Sequence, residues 1–524
     1  MRRESRVAKS IKNAKVNMLC YFVSLLTAFF TRRIFIDYLG LEFMGLNGTV
    51  GSVLGFLNLA ELGIGTAISY LLFKPVFDGD ETKINELISV MGYLYRWIGI
   101  FIYGAAIIVS FFLPVIFSDT SFSMGVIYAS FYLYLSGSML GYFFNYKMVL
   151  LSADQRNYVI TGYFQLTTTL KLFTQMGLAI LWPNFYVFLA LEFGSAIVNT
   201  FIIQWKLRKT YPWLKAELKE GRRLLKKYPE VTTKIKQIVV HKLGLFVKGQ
   251  SQPMLIYAFA SLSSLALYAN YTIITSRVQN LFNGILDSAG GSVGNLVAEG
   301  DKDKIVKIFA QLFVSRLFIV GNLAFCFYYL LSPFVNIWLG PECIVSPTVV
   351  LIVVIGYTLG VMRGPTDYFI NAYGLFSDVW APIAESAISI SVAILCGMKW
   401  GLPGVLMGDL TASILIIYVW KTYFLFTRGF KVNPLRYWLL WVKTIWPMIL
   451  GAVAAYFVAE YFGSILTISN PWIEFGYKAV IYTIIIFTIS SIILWGISLH
   501  FRVFFKRLLS TVLKRGKRFQ QNPK

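Results

Sequence analysis

Residues 46–73 read LNGTVGSVLGFLNLAELGIGTAISYLLF, an apolar run that contains one charged side chain, Glu61. A bilayer core of about 30 Å requires roughly 20 apolar residues per helical crossing, so this run is long enough to span a membrane. The rest of the chain has the same character, because 57% of its 524 residues are hydrophobic and only 14% are charged. This composition excludes an ordinary soluble protein and predicts an all-α integral membrane protein.

Runs of this kind recur along the chain and predict fourteen transmembrane helices. The expected spans are 13–36, 46–73, 91–117, 121–151, 157–182, 184–206, 239–260, 263–289, 308–332, 345–373, 379–399, 401–426, 441–462 and 472–499. An even number of crossings places both termini on one side of the membrane. Both termini are basic, as are the loops assigned to their side, so the positive-inside rule predicts that the N- and C-termini are cytoplasmic.

The order of the spans predicts two six-helix lobes and two further helices. The expected parts are an N-terminal lobe (1–206), a basic amphipathic cytoplasmic linker (207–238), a C-terminal lobe (239–426), two last helices (441–499) and a basic cytoplasmic tail (500–524). The linker is expected to lie in the membrane interface.

A weak internal repeat supports this division, because GDETKI at 79–84 returns as GDKDKI at 300–305. The separation of these two segments along the chain defines a repeat offset. The same offset carries Gly63-Ile64 onto Gly284-Ile285. Parallel repeats are a transporter architecture, with the substrate path between the halves.

Charge and residue usage exclude several classes of function. The formal net charge of +23 could suit nucleic acid, but its concentration in cytoplasmic loops favours anionic lipid headgroups, and no nucleic-acid partner is predicted. The chain has two histidines, no Walker sequence and no cysteine pair with metal-ligand spacing. No catalytic constellation, metal site or cofactor is therefore predicted, and the protein is not expected to be an enzyme.

Polar residues on otherwise apolar helices are the first candidates for a site. On the predicted eighth helix, residues at intervals of three and four share one face, and they are Thr272, Ser276, Asn280, Asn283 and Asp287. The second helix contributes Asn58 and Glu61, on a different face from its glycines. The alternative for both helices is close packing through small or polar residues.

Charged residues near the membrane centre are the second candidates, since each costs roughly 2.5 to 3.5 kcal/mol on insertion scales. Lys248, with Gln252 one turn later, lies on the seventh helix, Arg277 on the eighth and Lys171 on the fifth. Lys171 has the alternative of pairing with Glu192.

Two further groups of charged residues lie at helix ends or breaks. Arg32 and Arg33 end the first helix, and Arg363 precedes Gly364-Pro365, which is predicted to interrupt the tenth. Arg363 has the alternative of a structural ion pair with Asp367. The carboxylates Glu61, Asp287 and Asp367 are candidates for binding a coupling H⁺ or Na⁺, with structural roles as their alternative.

Two stretches carry a resemblance to a known family. TRRIFIDYLGLEFMGLNGTVGSVLGFLNLAELGIGTAISYLL (31–72) and LALYANYTIITSRVQNLFNGI (265–285), together with the helix layout, resemble the polysaccharide transporter family of the multidrug, oligosaccharidyl-lipid and polysaccharide exporter superfamily. The resemblance implies a flippase of the bacterial plasma membrane. Its substrate would be undecaprenyl-diphosphate-linked oligosaccharide repeat units for O-antigen, capsule or a related glycan.

The resemblance also implies a mechanism and partners. It implies alternating access of a V-shaped central cavity whose basic residues hold the anionic substrate, with membrane lipids and polysaccharide polymerase machinery as partners. One alternative is a multidrug or cation antiporter of the same superfamily, against which the two extra helices and the midplane cations count. Another is an integral-membrane glycan polymerase or ligase, which usually needs larger outward-facing loops than this chain has.

Overall fold

The computed structural model describes residues 6–61, 63–154, 156–286, 290–375, 377–464, 468–503 and 505–506. The described part of the chain is almost entirely helical and contains no β-strand. Its helices, in chain order, are α1 (Arg6–Leu39), α2 (Leu41–Leu57), α3 (Ile64–Asp78), α4 (Glu81–Ser110), α5 (Leu113–Ile116), α6 (Met124–Phe143), α7 (Val149–Ala153), α8 (Asn157–Leu181), α9 (Phe185–Thr210), α10 (Gly221–Lys227), α11 (Pro229–Phe259), α12 (Leu262–Leu286), α13 (Gly290–Glu299), α14 (Lys302–Leu339), α15 (Pro347–Met362), α16 (Gly364–Tyr373), α17 (Ala381–Trp400), α18 (Leu402–Ala412), α19 (Thr422–Phe424), α20 (Leu435–Ser464) and α21 (Pro471–Ile497). Two π-helical segments, Ser413–Lys421 and Leu425–Phe430, flank α19.

Nine helical stretches in the described residues are long and apolar enough to cross a membrane. A helix suits lipid because it satisfies every backbone polar group internally. The protein is therefore a multi-pass membrane protein. The remaining predicted spans correspond to α2–α3, α6–α7, α8, α11 and α12, and four of these five carry candidate site residues: Glu61, Lys171, Lys248 and Arg277. The count of fourteen crossings stays a prediction.

The repeat offset recurs in the helix boundaries. α2 begins at Leu41 and α12 at Leu262, while α4 begins at Glu81 and α14 at Lys302, so both pairs of helix starts are separated by the same length of chain as the two Gly-Asp segments. The repeated Gly-Asp pair also has the same local structure both times. Gly79 and Gly300 have φ values of 75° and 78°, and the following aspartate caps the next helix by accepting a hydrogen bond from the backbone N–H three residues on, at 2.9 Å and 3.1 Å. The sequence repeat is thus a structural repeat at these positions.

The chain forms two compact units, Met1–Ala266 and Leu267–Lys524. The first unit has a core of buried side chains that includes Phe43, Leu46 and Phe131. The core of the second unit is rich in aromatic rings. Phe309 lies 5.6 Å from Phe369 and 5.4 Å from Phe426 between ring centroids, in edge-to-face geometry that adds about 0.5 to 1.5 kcal/mol per pair beyond burial.

The predicted linker 207–238 is mostly helical and folds onto the first unit. α9 extends to Thr210, α10 follows, and α11 begins at Pro229, inside the segment expected to be a connection. The side of α10 that carries Gly221 and Leu224 is buried, and a Cβ at Gly221 would meet Tyr93 of α4 at 2.2 Å. Because α4 covers this side, the apolar face of α10 contacts protein.

Polar contacts fix the same segment to α4. The backbone N–H of Lys215 donates to Asn85, and that of Glu217 donates to Ser89, at 2.7 and 2.8 Å. Glu86 accepts from Lys227 Nζ at 2.7 Å and from the Tyr228 hydroxyl. Burial and the hydrogen bond to Glu86 raise the pKa of Tyr228, so the hydroxyl remains a donor to higher pH than an ordinary tyrosine would.

Candidate functional site

The second predicted span is a broken helix. α2 ends at Leu57, a 3₁₀ turn follows over Asn58–Glu61, and α3 starts after Gly63. Gly63 has a φ of 91°, which side chains with a Cβ rarely adopt, so the glycine permits the change of direction. Discontinuous membrane helices place polar groups inside the bilayer in many transporters. Here the break carries Asn58 and Glu61, two of the residues predicted from the sequence.

Glu61 is held by two tyrosine hydroxyls. Tyr95 of α4 donates to Oε1, and the Tyr142 hydroxyl of α6 lies 2.9 Å from Oε2. The same Tyr142 oxygen is 2.9 Å from Asn58 Oδ1, and the two tyrosine rings meet edge to face with centroids 5.5 Å apart. No lysine or arginine pairs with Glu61 among the residues that the structure describes. Within the described residues, the partners of this carboxylate are therefore neutral donors.

This carboxylate opens onto a cavity of about 720 Å³ within the first unit. The walls come from α3, α4, α6, α7 and the 3₁₀ turn Asn145–Met148, and they include Tyr70, Tyr146 and Asn145. None of the described residues that line it is a lysine or an arginine, although Lys234 Nζ lies 5.3 Å from the centroid of the Tyr70 ring. A second cavity of about 370 Å³ shares part of this wall, including Asn145, and reaches Glu192 of α9. Both volumes fall in or near the range of small-molecule sites.

Lys171 and Glu192 form an ion pair, which is the alternative that the sequence left open for Lys171. Nζ lies 2.7 and 2.8 Å from the two carboxylate oxygens, and Gln175 donates to the same carboxylate at 3.2 Å. The side chains are 13% and 22% exposed, so solvent screens the pair only weakly. This pairing accounts for the charge of Lys171 without a ligand.

Arg363 and Asp367 also form the ion pair expected as their alternative, with Nε 2.6 Å from Oδ2. The helix is interrupted at Arg363, because α15 ends at Met362 and α16 starts at Gly364. The Gly364-Pro365 pair predicted an interruption here. Nearby, the buried Arg316 donates to the Tyr368 hydroxyl at 2.7 Å. A Cβ at Gly364 would meet the Arg316 guanidinium at 2.1 Å, so the glycine gives this group its space.

The sequence reasoning missed Arg316, Tyr95 and Tyr142. Arg316 had a usable signal, because it is the single charged residue in the predominantly apolar stretch 312–320 of α14. The tyrosines had none, since their partner Glu61 is 34 and 81 positions away along the chain.

The remaining basic candidates lie on three helices. Arg32 of α1 donates from Nη2 to the backbone oxygen of Ala266 at 2.9 Å, and Arg33 pairs with Asp37 at 3.2 Å. Lys248 of α11 and Arg277 of α12 are both half-buried.

The orientation of Lys248 follows from its neighbour Gln250. A Cβ at Gly55 of α2 would meet Gln250 Oε1 at 2.1 Å, so Gln250 faces α2. Each helical residue turns the side chain by about 100°, which places Lys248 and Gln252 together on a nearly opposite face of α11.

The predicted polar face of α12 is only partly described. Thr272 and Ser276 donate to backbone carbonyls of their own helix, at 3.2 Å and 3.1 Å, and the Asn280 side chain is exposed. The side chain of Asn283 and the whole of Asp287 lie outside the described residues. Their predicted roles stay predictions.

Comparison with known proteins assigns the fold. The chain matches no protein-family model and no curated protein. It matches the structure of the lipid II flippase MurJ in an inward closed conformation, with a TM-score of 0.60 and 15% identity over 91% of this chain and 98% of that chain. The prediction of an all-α membrane fold is confirmed by this match.

Two transporters match less well. An inward-facing multidrug resistance transporter of the MATE family of the MOP superfamily gives a TM-score of 0.49 and 14% identity, over 77% of this chain and 95% of that chain. The Vibrio cholerae MATE transporter VcmN gives a TM-score of 0.48 and 12% identity, over 81% of this chain and 99% of that chain.

Proposed function

We propose that the protein is a secondary transporter that flips a lipid-linked, anionic oligosaccharide across a bacterial plasma membrane. The observation that carries the proposal is the match of fold along nearly the whole of both chains with a lipid flippase. The structural repeat seen in the helix starts supports it, because parallel repeats are a recurrent transporter architecture. The expected substrate is an undecaprenyl-diphosphate-linked repeat unit for O-antigen, capsule or a related glycan, with polymerase machinery as the next partner.

The basic residues would bind the diphosphate of this substrate. Lys248 is the leading candidate, because it is half-buried on the face of α11 that is turned away from α2. Gln252 lies one turn further on the same face and offers an amide. Arg277 and Arg32 are the next candidates. Lys171 and Arg363 are weaker, because each already pairs with a carboxylate.

Glu61 is the strongest candidate for coupling transport to an ion gradient. An ionised carboxylate inside a membrane domain is costly unless a charge or water compensates it. Glu61 has two tyrosine donors and no cationic partner in the described residues, so a proton or a sodium ion would relieve the cost. Asp367 is a weaker candidate, because Arg363 already neutralises it. Asp287 remains a candidate from the sequence alone.

The test is reconstitution of the purified protein in liposomes with a labelled undecaprenyl-diphosphate oligosaccharide. The rate at which the label becomes accessible to an enzyme added on the opposite side is measured for native protein and for Lys248→Gln. We expect movement by the native protein, a loss of about tenfold or more in Lys248→Gln, and partial retention in Lys248→Arg, since charged hydrogen bonds contribute about 1.5 to 3 kcal/mol.

If the native protein moves the label and a well-folded Lys248→Gln moves it at the same rate, the flippase activity stands but Lys248 does not bind the substrate. Absence of movement with several glycans, with and without ion gradients, would contradict the proposed function.

A further inference from the structure

We propose that the first unit binds the phosphate of an anionic phospholipid between Lys147 and Arg208, where α9 meets the 3₁₀ turn that follows α6. This site goes beyond the proposed function, because its ligand is a lipid of the membrane itself and not the transported glycan. The net charge of the chain predicted anionic headgroups near the basic loops in general. The structure narrows that expectation to two side chains and the surface beside them.

One side of α9 is fastened to the end of α6. Asn145 donates from Nδ2 to the Thr200 hydroxyl at 2.9 Å. One turn further along α9, Gln204 donates from Nε2 to the backbone oxygen of Phe144 at 2.6 Å. Residues four apart lie on the same side of a helix, so Arg208 is the next residue of this series. The two hydrogen bonds therefore hold Arg208 beside the turn.

Lys147 brings a second positive charge to the same place. It is half-buried, its Nζ lies 5.8 Å from the centroid of the Tyr146 ring, and it is close enough to Arg208 for the two charges to repel each other. Neither cation pairs with a carboxylate in the part of the chain that the structure describes, and the next acidic residue, Asp154, pairs with Arg156. An anion bound between the two cations would replace their repulsion by attraction.

An exposed apolar stripe runs along α9 to these cations. Val198, Phe201 and Trp205 follow each other at intervals of three and four, and all three side chains are exposed. Phe144, whose backbone oxygen is bound by Gln204, adds a further exposed ring. Apolar residues, then a tryptophan, then basic residues match the acyl chains, the interface and the headgroup of a phospholipid in that order.

Charge and shape decide between ligand classes. The guanidinium of Arg208 offers paired donors that fit two phosphate oxygens, and Lys147 adds a compact charge. Two cations favour a headgroup with a net negative charge over a zwitterionic one. A soluble phosphate would use the cations alone, whereas an anionic phospholipid contacts both the cations and the apolar stripe. The phospholipid is therefore the favoured ligand.

The experiment compares two lipids that have the same palmitoyl and oleoyl chains, phosphatidylglycerol and phosphatidylcholine. Native mass spectrometry of the detergent-solubilised full chain measures the affinity for the first lipid molecule bound. We expect phosphatidylglycerol to bind at least about tenfold more tightly than phosphatidylcholine. Lys147→Gln and Arg208→Gln should each weaken the binding of phosphatidylglycerol by about fivefold, and the double variant by about 25-fold. Binding of phosphatidylcholine should not change.

The matched control is Lys219→Gln/Arg222→Gln, which removes the same two charges from exposed positions of the same unit. This control should bind phosphatidylglycerol as tightly as the native protein. Lys147→Arg keeps the charge and should retain most of the affinity. A thermal unfolding curve verifies that each variant is folded.

Four results would overturn the inference: equal affinity for the two lipids, unchanged affinity in the folded double variant, an equal loss in the control, or glycerol phosphate that binds as tightly as phosphatidylglycerol. Displacement of the bound phosphatidylglycerol by an equal concentration of undecaprenyl diphosphate would assign the site to the transported lipid and would also overturn it. The affinity assay contains no oligosaccharide and no gradient, so its failure leaves the proposed flippase activity untouched. Absence of flipping would likewise leave this site standing.

Discussion

Two half-buried carboxylates of the first unit are stabilised in different ways. Glu192 has a counter-charge, Lys171, and an amide donor, Gln175. Glu61 has two phenolic hydroxyls and lines a cavity. A paired carboxylate already has its charge neutralised, whereas a carboxylate with neutral donors remains ready to bind a cation or a proton. The ion pair accounts for Glu192 structurally, whereas the neutral donors of Glu61 support the coupling role that we propose for it.

The ion pair gives a prediction at this scale. Lys171→Met leaves the half-buried Glu192 without its counter-charge, which should lower the free energy of unfolding by up to about 3 kcal/mol. The double variant Lys171→Met/Glu192→Gln removes both charges and should recover most of that loss. Thermal unfolding in detergent measures the difference, with the exposed Lys399→Met as control. A double variant no more stable than Lys171→Met would contradict the role of the pair.

Part of the site could be predicted from single residues. Lys171 and Glu61 stood out in the sequence because a charge in an apolar run needs a physical reason. Glu192 could be named as a partner for Lys171, because the two lie on consecutive helices. Tyr95 and Tyr142 could not be named, since tyrosine is common in membrane helices and only tertiary packing selects the two that meet Glu61.

At the scale of helices, glycines of α2 allow close approach of later segments. A Cβ at Gly45 would lie 2.0 Å from the backbone oxygen of Leu262, whereas a Cβ at Gly51 would meet nothing within 4 Å. Small residues permit such backbone contact between membrane helices. Close packing was the alternative weighed for this helix from the sequence, and the structure shows it alongside the polar residues Asn58 and Glu61.

This contrast makes a matched pair of substitutions. Gly45→Ala should lower the midpoint of thermal unfolding, because a backbone atom cannot move aside cheaply and overpacking costs about 1 to 3 kcal/mol. Gly51→Ala on the same helix should be neutral or stabilising, since alanine favours a helix by up to about 1 kcal/mol. Equal midpoints of thermal unfolding for the two variants would contradict the close contact between Gly45 and the backbone of Leu262.

The segment between α9 and α11 shows what tertiary contacts add to a sequence pattern, while its position in the membrane interface stays a prediction. Its basic amphipathic pattern suggested a helix in the membrane interface, but the pattern does not reveal which apolar surface covers the buried face. In the structure that surface is α4, with Glu86 as the polar anchor. α11 begins at Pro229, well before the predicted start of its span at 239. The predicted boundary marked only where the apolar residues begin, whereas the helix also includes the polar residues before them.

Removing the anchor should expose this segment to protease. Glu86→Ala loses the contacts with Lys227 and Tyr228, and the opening of α10 should become about tenfold more frequent, because the Tyr228 hydroxyl loses its charged acceptor. Limited trypsin digestion of solubilised protein measures the cleavage rate after Arg222 and Arg223. The control is Glu81→Ala, which replaces an exposed acidic residue of α4, the helix that also carries Glu86. Identical cleavage rates would contradict the anchoring role of Glu86.

At the scale of the whole chain, hydropathy and the repeat were the reliable signals. Within the described residues, nine of the predicted spans are long and apolar enough to cross a membrane, and the others are broken or carry the polar residues of interest. A helix that serves a site must contain polar groups, so the helices that matter most for function are the hardest to recognise as membrane spans. The repeat offset, visible in only a few letters of the sequence, is also present in the helix starts.

The measurement that tests the central claim most directly is flipping of the labelled lipid-linked oligosaccharide in liposomes with an imposed proton or sodium gradient. Native protein should move the label, and one of the two gradients should accelerate the movement. The gradient should no longer accelerate flipping by Glu61→Gln, because the neutral amide cannot take up and release a proton or a sodium ion as the carboxylate can. Label that stays in its leaflet with native protein under every gradient would contradict the account, and acceleration retained in Glu61→Gln would remove this carboxylate from the coupling.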